Sequence, residues 1–374
     1  MKVLSVFGTR PEAVKMCPLV LELARRGGIE SEVCLTAQHR EMLDSVTALF
    51  GVKADYDLDL MRSRQTLGDI FCGVLRGMED VLRRSRPDIV LVHGDTSTSC
   101  AAALAAFYAR IPVGHVEAGL RSYCRYFPFP EEMNRRITAD LASFHFAPSA
   151  RSAQNLRAEG VCENIFVTGN TGLDALRTTV RPDYVFSESA LRDPALFSGR
   201  TVLLTAHRRE NIPDGIASIC RAVKRLCAAY GDLRVIFPVH PNPAVREIVQ
   251  PLLGNVPGVR LTEPLGTLDM HNLLARCTLV LTDSGGLQEE GPALGVPVLV
   301  LRDETERPEA VEAGGVRLAG TAEEGIFRAA ARLLDSESAR GEMANTVSPY
   351  GDGHASERIA EILSNSFCAR EAAG

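Results

Sequence analysis

The stretch Thr278-Leu279-Val280-Leu281-Thr282 runs directly into Asp283-Ser284-Gly285-Gly286-Leu287-Gln288-Glu289-Glu290. The apolar half is too short for a buried helix and reads as a buried parallel strand. Ser284, Gly285 and Gly286 then turn the chain into a helix. A helix that starts there presents unpaired N–H groups and the positive end of its dipole, which suits a phosphate. The glycines admit a diphosphate close to the backbone, and Glu290, six residues past Ser284, is placed to meet ribose hydroxyls. Taken alone, the same letters also spell an ordinary strand–turn–helix, because short glycine motifs recur by chance.

The same alternation runs through the whole chain and predicts an α/β protein with parallel sheets. In the first half, strands are expected at Val3–Phe7, Glu32–Leu35, Ile89–Val92 and Val113–Val116, with helices starting near Pro11, Arg40 and Thr96. A second series comprises Val202–Thr205, Arg234–Val239, Val259–Thr262, Thr278–Thr282 and Val296–Leu301. Between the series, residues 181–200 carry Pro182, Pro194 and mixed charge and read as a surface connection. At 374 residues, two domains are the natural expectation. We place them at 1–168 and 169–351, both doubly wound, with a C-terminal segment 352–374. Its amphipathic helix, bearing Ile359, Ile362 and Leu363, would fold back on the first domain. Ligands of such folds bind at the carboxyl ends of strands, which puts a substrate in the cleft between domains.

Composition removes several function classes. A net charge of −6 argues against a nucleic-acid binder, which carries a basic patch. No apolar run is long enough to span a bilayer, and the N-terminal MKVLSVFG reads as a strand and not a signal peptide. The 10 cysteines form no C-x-x-C pair and fit a reduced, cytoplasmic protein. The eight histidines show no ligand spacing, so no metal is expected.

Polar residues follow several strands. The first strand ends in Gly8-Thr9-Arg10-Pro11-Glu12, with Lys15 one turn on. Arg10 and Lys15 could supply local positive charge, or Arg10 could be a solvated helix start. Asp95, after Ile89–Val92, is either a helix cap or a catalytic carboxylate. Glu117 ends Val113–Val116, and a carboxylate at the end of a buried strand is costly unless paired or in use. Glu131 and Glu132 follow the Phe127-Pro128-Phe129-Pro130 turn, in a first helical turn that favours acids anyway. In the second half His207, His240 and Arg302 stand just past strands. A lone residue of this kind is usually structural. Three of them beside a phosphate turn point to a convergent cationic site.

Together these segments closely resemble the non-hydrolysing UDP-N-acetylglucosamine 2-epimerases of bacteria. The resemblance is carried by GTRPEAVKM from Gly8, AQHREML from Ala37, VHGDTST from Val92, HVEAGLRS from His115 and FPEEMNR from Phe129. It continues through VTGNTGLDAL from Val167, HRREN from His207, PVHPNP from Pro238, TDSGGLQEE from Thr282, RDETERPEA from Arg302 and SPYGDGHASERIAEIL from Ser348. It implies a glycosyltransferase-B-like fold with the active site in the interdomain cleft. It also implies interconversion of UDP-GlcNAc and UDP-ManNAc by elimination of UDP to 2-acetamidoglucal and re-addition. By motif, Asp95, Glu117 and Glu131 would be the acid–base carboxylates and His207 would lie near the diphosphate and sugar. Arg10, Ser284, Gly285 and Gly286 would hold the diphosphate, Glu290 the ribose, and Lys15 and Arg307 would make further contacts. The route needs no cofactor. The family's homodimer, cytoplasmic location and place in cell-surface polysaccharide synthesis are implied in the same way, as is a second, activating UDP-GlcNAc beside Gln38, His39, Arg64 and Gln65. Two positions depart from the pattern. Met270 stands where an aromatic residue commonly receives uracil, and Asp140 stands where His is common. A hydrolysing epimerase, a relative acting on a 2,3-diacetamido sugar nucleotide, a glycosyltransferase of the same architecture and a UDP-sugar sensor are the competing readings.

Overall fold

The computed structural model describes residues 1–37, 40–62 and 64–371. The chain divides into two compact units, one formed by Met1–Arg177 with the segment from Tyr350 onward, the other by Thr178–Pro349.

The first unit is built on a seven-stranded sheet: β1 (Lys2–Phe7), β2 (Glu30–Leu35), β3 (Tyr56–Asp57), β4 (Ile89–His93), β5 (Val113–Val116), β6 (Phe144–Ala147) and β7 (Ile165–Val167). The order is β3-β2-β1-β4-β5-β6-β7, and all pairings are parallel. β1, β4, β5 and β6 are apolar along most of their length, as strands covered by helices on both faces must be. One face is closed by the helix Arg10–Arg25 and the C-terminal helix Ala355–Glu371, whose Ile359, Ala360 and Leu363 join a core with Phe7, Met16, Leu19 and Phe146. The other face holds Ser97–Tyr108, whose Ala101, Ala102, Ala103, Ala105 and Ala106 are buried with Val74, Met78 and Val90. Small side chains there let the helix lie close to the sheet.

The second unit carries a six-stranded parallel sheet of β8 (Thr201–Thr205), β9 (Arg234–Pro238), β10 (Val259–Thr262), β11 (Leu279–Thr282), β12 (Val298–Val300) and β13 (Val316–Leu318), in the order β10-β9-β8-β11-β12-β13. Both sheets reverse their winding beside the first strand, between β1 and β4 and between β8 and β11. Such a switch point opens a crevice at the carboxyl ends of the strands. The nine expected strands are present, with ends shifted by up to two residues. β3, β6, β7 and β13, not anticipated, complete the sheets. The stretch 181–200 is more structured than a surface connection. Its two short 3₁₀ turns bury Leu191 and Leu196, and Phe186 stacks on Phe197 with ring centroids 5.5 Å apart. No helix among the described residues is long and apolar enough to cross a membrane.

Candidate active site

In the first unit the candidate residues gather where β1, β4 and β5 end side by side. Thr9 caps the helix Arg10–Arg25 in a capping box with Glu12, which sets Arg10 at the first helical position. Glu12 is buried and ties two strand ends together. It accepts N–H bonds from Gly8 (3.0 Å) and Thr9 (2.8 Å) and hydroxyl bonds from Thr96 (2.7 Å) and Ser99 (3.0 Å). Burial raises its carboxyl above the usual range although these donors pull the other way.

Glu117 follows β5 in a left-handed backbone conformation, φ +60°, which costs a residue bearing a Cβ about 1–2 kcal/mol. Strain of this kind persists only where neighbours enforce it, and it marks positions worth a functional reading. The neighbours here are the Lys15 ammonium, which pairs with Glu117 Oε2, Asn170 Nδ2, which donates to the same oxygen at 3.1 Å, and His93 Nε2 at 3.7 Å. Two residues on, a Cβ at Gly119 would lie 2.2 Å from the Ser152 carbonyl oxygen, so only glycine lets the chain leave β5 along this path. Lys15, expected at the nucleotide, thus faces a carboxylate of its own unit.

Asp95 does not cap the next helix. Thr96 does, accepting the Ser99 N–H at 3.0 Å. The Asp95 side chain, a quarter exposed, turns instead to Arg135 Nε (2.9 Å) and Nη2 (2.7 Å). His115 Nε2 donates to the carbonyl of Gly94 at 2.7 Å, and burial pushes the His115 pKa down to about 3, which keeps the ring neutral. A Cβ at Gly94 would stand 3.6 Å from Glu117 Oε1, so the Asp95 turn and Glu117 adjoin. Glu131 opens the helix Glu131–Leu141 and is half-buried; Asp140 is exposed on the same helix.

In the second unit the strand ends of β8, β11 and β12 are neighbours. Ser284 is the N-cap of the helix Gly285–Ala293 and makes no side-chain capping bond, which leaves first-turn N–H groups for an anion. Arg307 lies over this turn, and a Cβ on Gly285 would come within 2.7 Å of its Nη1. The guanidinium is held by Glu289, Nε to Oε1 at 2.5 Å, both side chains nearly buried. Glu290 is on the same helix, half-buried, and its Oε1 would be 3.5 Å from a Cβ on Gly286. Met270 is half-buried on the helix Thr267–Leu274.

Sequence reasoning gave no role to Asp283, which organises this end. It is fully buried; its Oδ2 accepts the N–H groups of His207 and Arg208, both at 2.8 Å, and Asn211 Nδ2 at 3.1 Å. Its Oδ1 stands 3.2 Å from His207 Nδ1. Burial pushes the carboxyl up, but the His207 ring and the two N–H donors outweigh it and leave the pKa below the usual value. The signal was available: an acid directly after a buried strand, the same reasoning that singled out Glu117. His207 also stacks on His240, centroids 5.3 Å apart and planes 7° apart. Burial, then the neighbouring His207, lowers the His240 pKa.

Two of the remaining candidates, Arg64 and Gln65, lie at the loop before the helix Leu67–Ser85. Gln65 is spent on its own loop, accepting from Arg62 N (2.9 Å) and donating to the Leu60 carbonyl (2.6 Å), and Arg64 is exposed. Gln38 and His39 lie outside the described residues. Among the described residues, no group of three or more His, Cys, Asp or Glu is placed to hold a metal.

Comparison with known proteins gives this arrangement a family. The profile of the family described as UDP-N-acetylglucosamine 2-epimerase matches residues 21–364. A Thermotoga maritima chain is 56% identical over 366 residues, covering 98% of this chain and 97% of that one. The UDP-N-acetylglucosamine 2-epimerase of Escherichia coli is 50% identical over 371 residues, 98% of this chain and 99% of its own. The crystal structure of UDP-GlcNAc 2-epimerase from Neisseria meningitidis bound to UDP-GlcNAc superposes with a TM-score of 0.89 at 47% identity, covering 98% of this chain and 100% of that chain. A glycotransferase at 14% identity and TM-score 0.67 shares the fold alone. The chain belongs to the UDP-N-acetylglucosamine 2-epimerase family.

Proposed function

We propose that the chain interconverts UDP-GlcNAc and UDP-ManNAc without hydrolysis. The observation that carries this reading is the placement of two carboxylates, Asp95 and Glu117, just past the neighbouring strands β4 and β5 in a chain that matches the epimerase family along its length. The C2 proton of the sugar is weakly acidic, so one positioned carboxylate must take it and another return a proton on the opposite face. As that proton leaves, the C1–O bond breaks, its electron pair passes to the β-phosphate oxygen, and 2-acetamidoglucal remains. Re-addition of UDP with protonation from the other face gives the C2 epimer. Asp95, Glu117 and Glu131 are the groups for these transfers, and Lys15 balances the charge on Glu117.

The departing diphosphate gathers negative charge. The open N–H groups after Ser284, Arg10, Arg307 and His207 answer it. Asp283 keeps the His207 ring turned, as the acid does in other His–Asp pairs. Glu290 takes the ribose hydroxyls and Met270 packs on uracil. Structures of relatives described as bound to UDP-GlcNAc, and to UDP-GlcNAc and UDP, support the choice of nucleotide. A cytoplasmic homodimer and a second UDP-GlcNAc beside Gln38, His39, Arg64 and Gln65 belong to the same reading. Strictly hyperbolic kinetics, with no UDP-GlcNAc requirement in the reverse direction, would remove the second site.

The test is product analysis by proton NMR of UDP-GlcNAc incubated with the purified protein. The expected result is UDP-ManNAc in equilibrium with its epimer and little free sugar. UDP with free ManNAc instead would assign the hydrolysing type, and an unchanged spectrum would direct attention to a modified sugar nucleotide.

A further inference from the structure

The helix Glu131–Leu141 carries a buried charged group that the mechanism above does not use. Arg135 is only 5% exposed, so its charge must be offset by close partners. Nε and Nη2 both reach Asp95 Oδ2, at 2.9 and 2.7 Å. Its Nη1 lies 3.4 Å from Glu132 Oε2. Glu132, 1% exposed, in turn accepts the N–H groups of Ser122 (2.9 Å) and Tyr123 (3.2 Å). One residue before Arg135, Asn134 Nδ2 donates to the main-chain carbonyl of Asp95 at 2.9 Å. A single helical turn therefore grips Asp95 by backbone and side chain together, and anchors the chain just past Glu117.

We infer that Arg135 is a positioning residue for Asp95. It commits Oδ2 and leaves Oδ1, which accepts no hydrogen bond among the described residues, as the oxygen that exchanges a proton with the sugar. A planar fork with two parallel donors suits this task, and a lysine, one point charge on a flexible stem, suits it less well. Glu132 fixes the far side of the fork, so Arg135 has one orientation. The inference rests on the reading of Asp95 as a proton-transfer group.

The experiment compares Arg135→Gln, Arg135→Lys and Asp95→Asn in the full-length protein, measuring kcat and KM for UDP-GlcNAc and the affinity for UDP. Loss of aim without loss of the nucleotide site predicts that Arg135→Gln lowers kcat about 10²-fold with KM within about threefold. Arg135→Lys is expected to recover about tenfold of that loss. UDP affinity should stay within about twofold in each, because the diphosphate turn lies in the other unit. A purely structural role would lower kcat, raise KM and weaken folding together, with no rescue by lysine, and that pattern would overturn the inference. So would Arg135→Gln with wild-type kcat. If Arg135→Gln does not fold, Arg135→Lys decides alone: a kcat about tenfold down at unchanged KM supports the role, and wild-type kcat refutes it. Asp95→Asn separates the two layers, because wild-type turnover in that variant would remove the role of Asp95 itself, whatever Arg135 does.

Discussion

Replacing Asp283 with asparagine tests whether a buried carboxylate holds the His207 ring in place. The change keeps the shape and removes the charge. Oδ2 meets three donors, the N–H groups of His207 and Arg208 and the amide of Asn211, so the new side chain must turn its oxygen that way. Its NH₂ then faces His207 Nδ1, now 3.2 Å from an oxygen, and the ring can accept that bond only with its proton on Nε2. A hydrogen bond to a charged acceptor is worth about 1 kcal/mol more than one to a neutral acceptor. Three of them, less the smaller desolvation cost of an amide, leave a net loss of about 1–2 kcal/mol. For a unit of this size that lowers its melting midpoint by about 5 °C. Loss of the ring's orientation is expected to lower kcat roughly 10²–10³-fold. The sign with pH follows from the lowered Asp283 pKa. The stability it adds is present above the ordinary aspartate value and is lost as pH falls through the lowered one, so wild type and variant converge in acid. Calorimetry from pH 3 to 7, alongside steady-state kinetics, reads both effects. A kcat within twofold of wild type, or a stability gap independent of pH, would remove this role from Asp283.

Three further outcomes are expected. Gly285→Ala places a methyl 2.7 Å from Arg307 Nη1 and should raise KM about tenfold and lower the melting midpoint by about 3–8 °C, checked by steady-state kinetics and thermal scans. Glu12→Ala should destabilise the first unit by about 2–3 kcal/mol, because the N–H groups of Gly8 and Thr9 and the Thr96 hydroxyl lose their acceptor, whereas Glu12→Gln, able to bond the hydroxyls of Thr96 and Ser99 through its NH₂, should cost about 1 kcal/mol or less. Burial raises the Glu12 pKa, so its contribution is full below the ordinary glutamate value and declines as pH rises through the raised one; the wild type's margin over Glu12→Gln in denaturant melts should therefore narrow toward neutral pH. Lys15→Met leaves Glu117 without its ammonium in a nearly buried position and should cost the first unit about 3 kcal/mol, measured by urea unfolding.

Much of the framework was legible because strands buried on both faces write themselves as apolar runs, and Val3–Phe7, Ile89–Val92 and Leu279–Thr282 do so plainly. The strands not anticipated are of two kinds. β3, β7 and β13 lie at sheet edges and are two or three residues long, too short for a period to register. β6, Phe-His-Phe-Ala, is central, but its His145 breaks the apolar run. The strand-end residues stood out as polar letters after apolar ones. What each of them touches did not, since Asp95 meets Arg135 forty positions on and Glu117 meets Lys15 across 102 positions. That Thr96 and not Asp95 caps the following helix likewise turned on side-chain direction, which local preference alone does not fix.

In the proposed mechanism, epimerisation proceeds by removal and return of the C2 proton. It is tested most directly by running the reaction in heavy water and reading C2 of both nucleotide sugars by NMR and mass spectrometry. UDP-ManNAc is expected to carry deuterium at C2, and deuterium should appear in recovered UDP-GlcNAc as the reaction reverses. Conversion to UDP-ManNAc with the original hydrogen retained at C2 would contradict it.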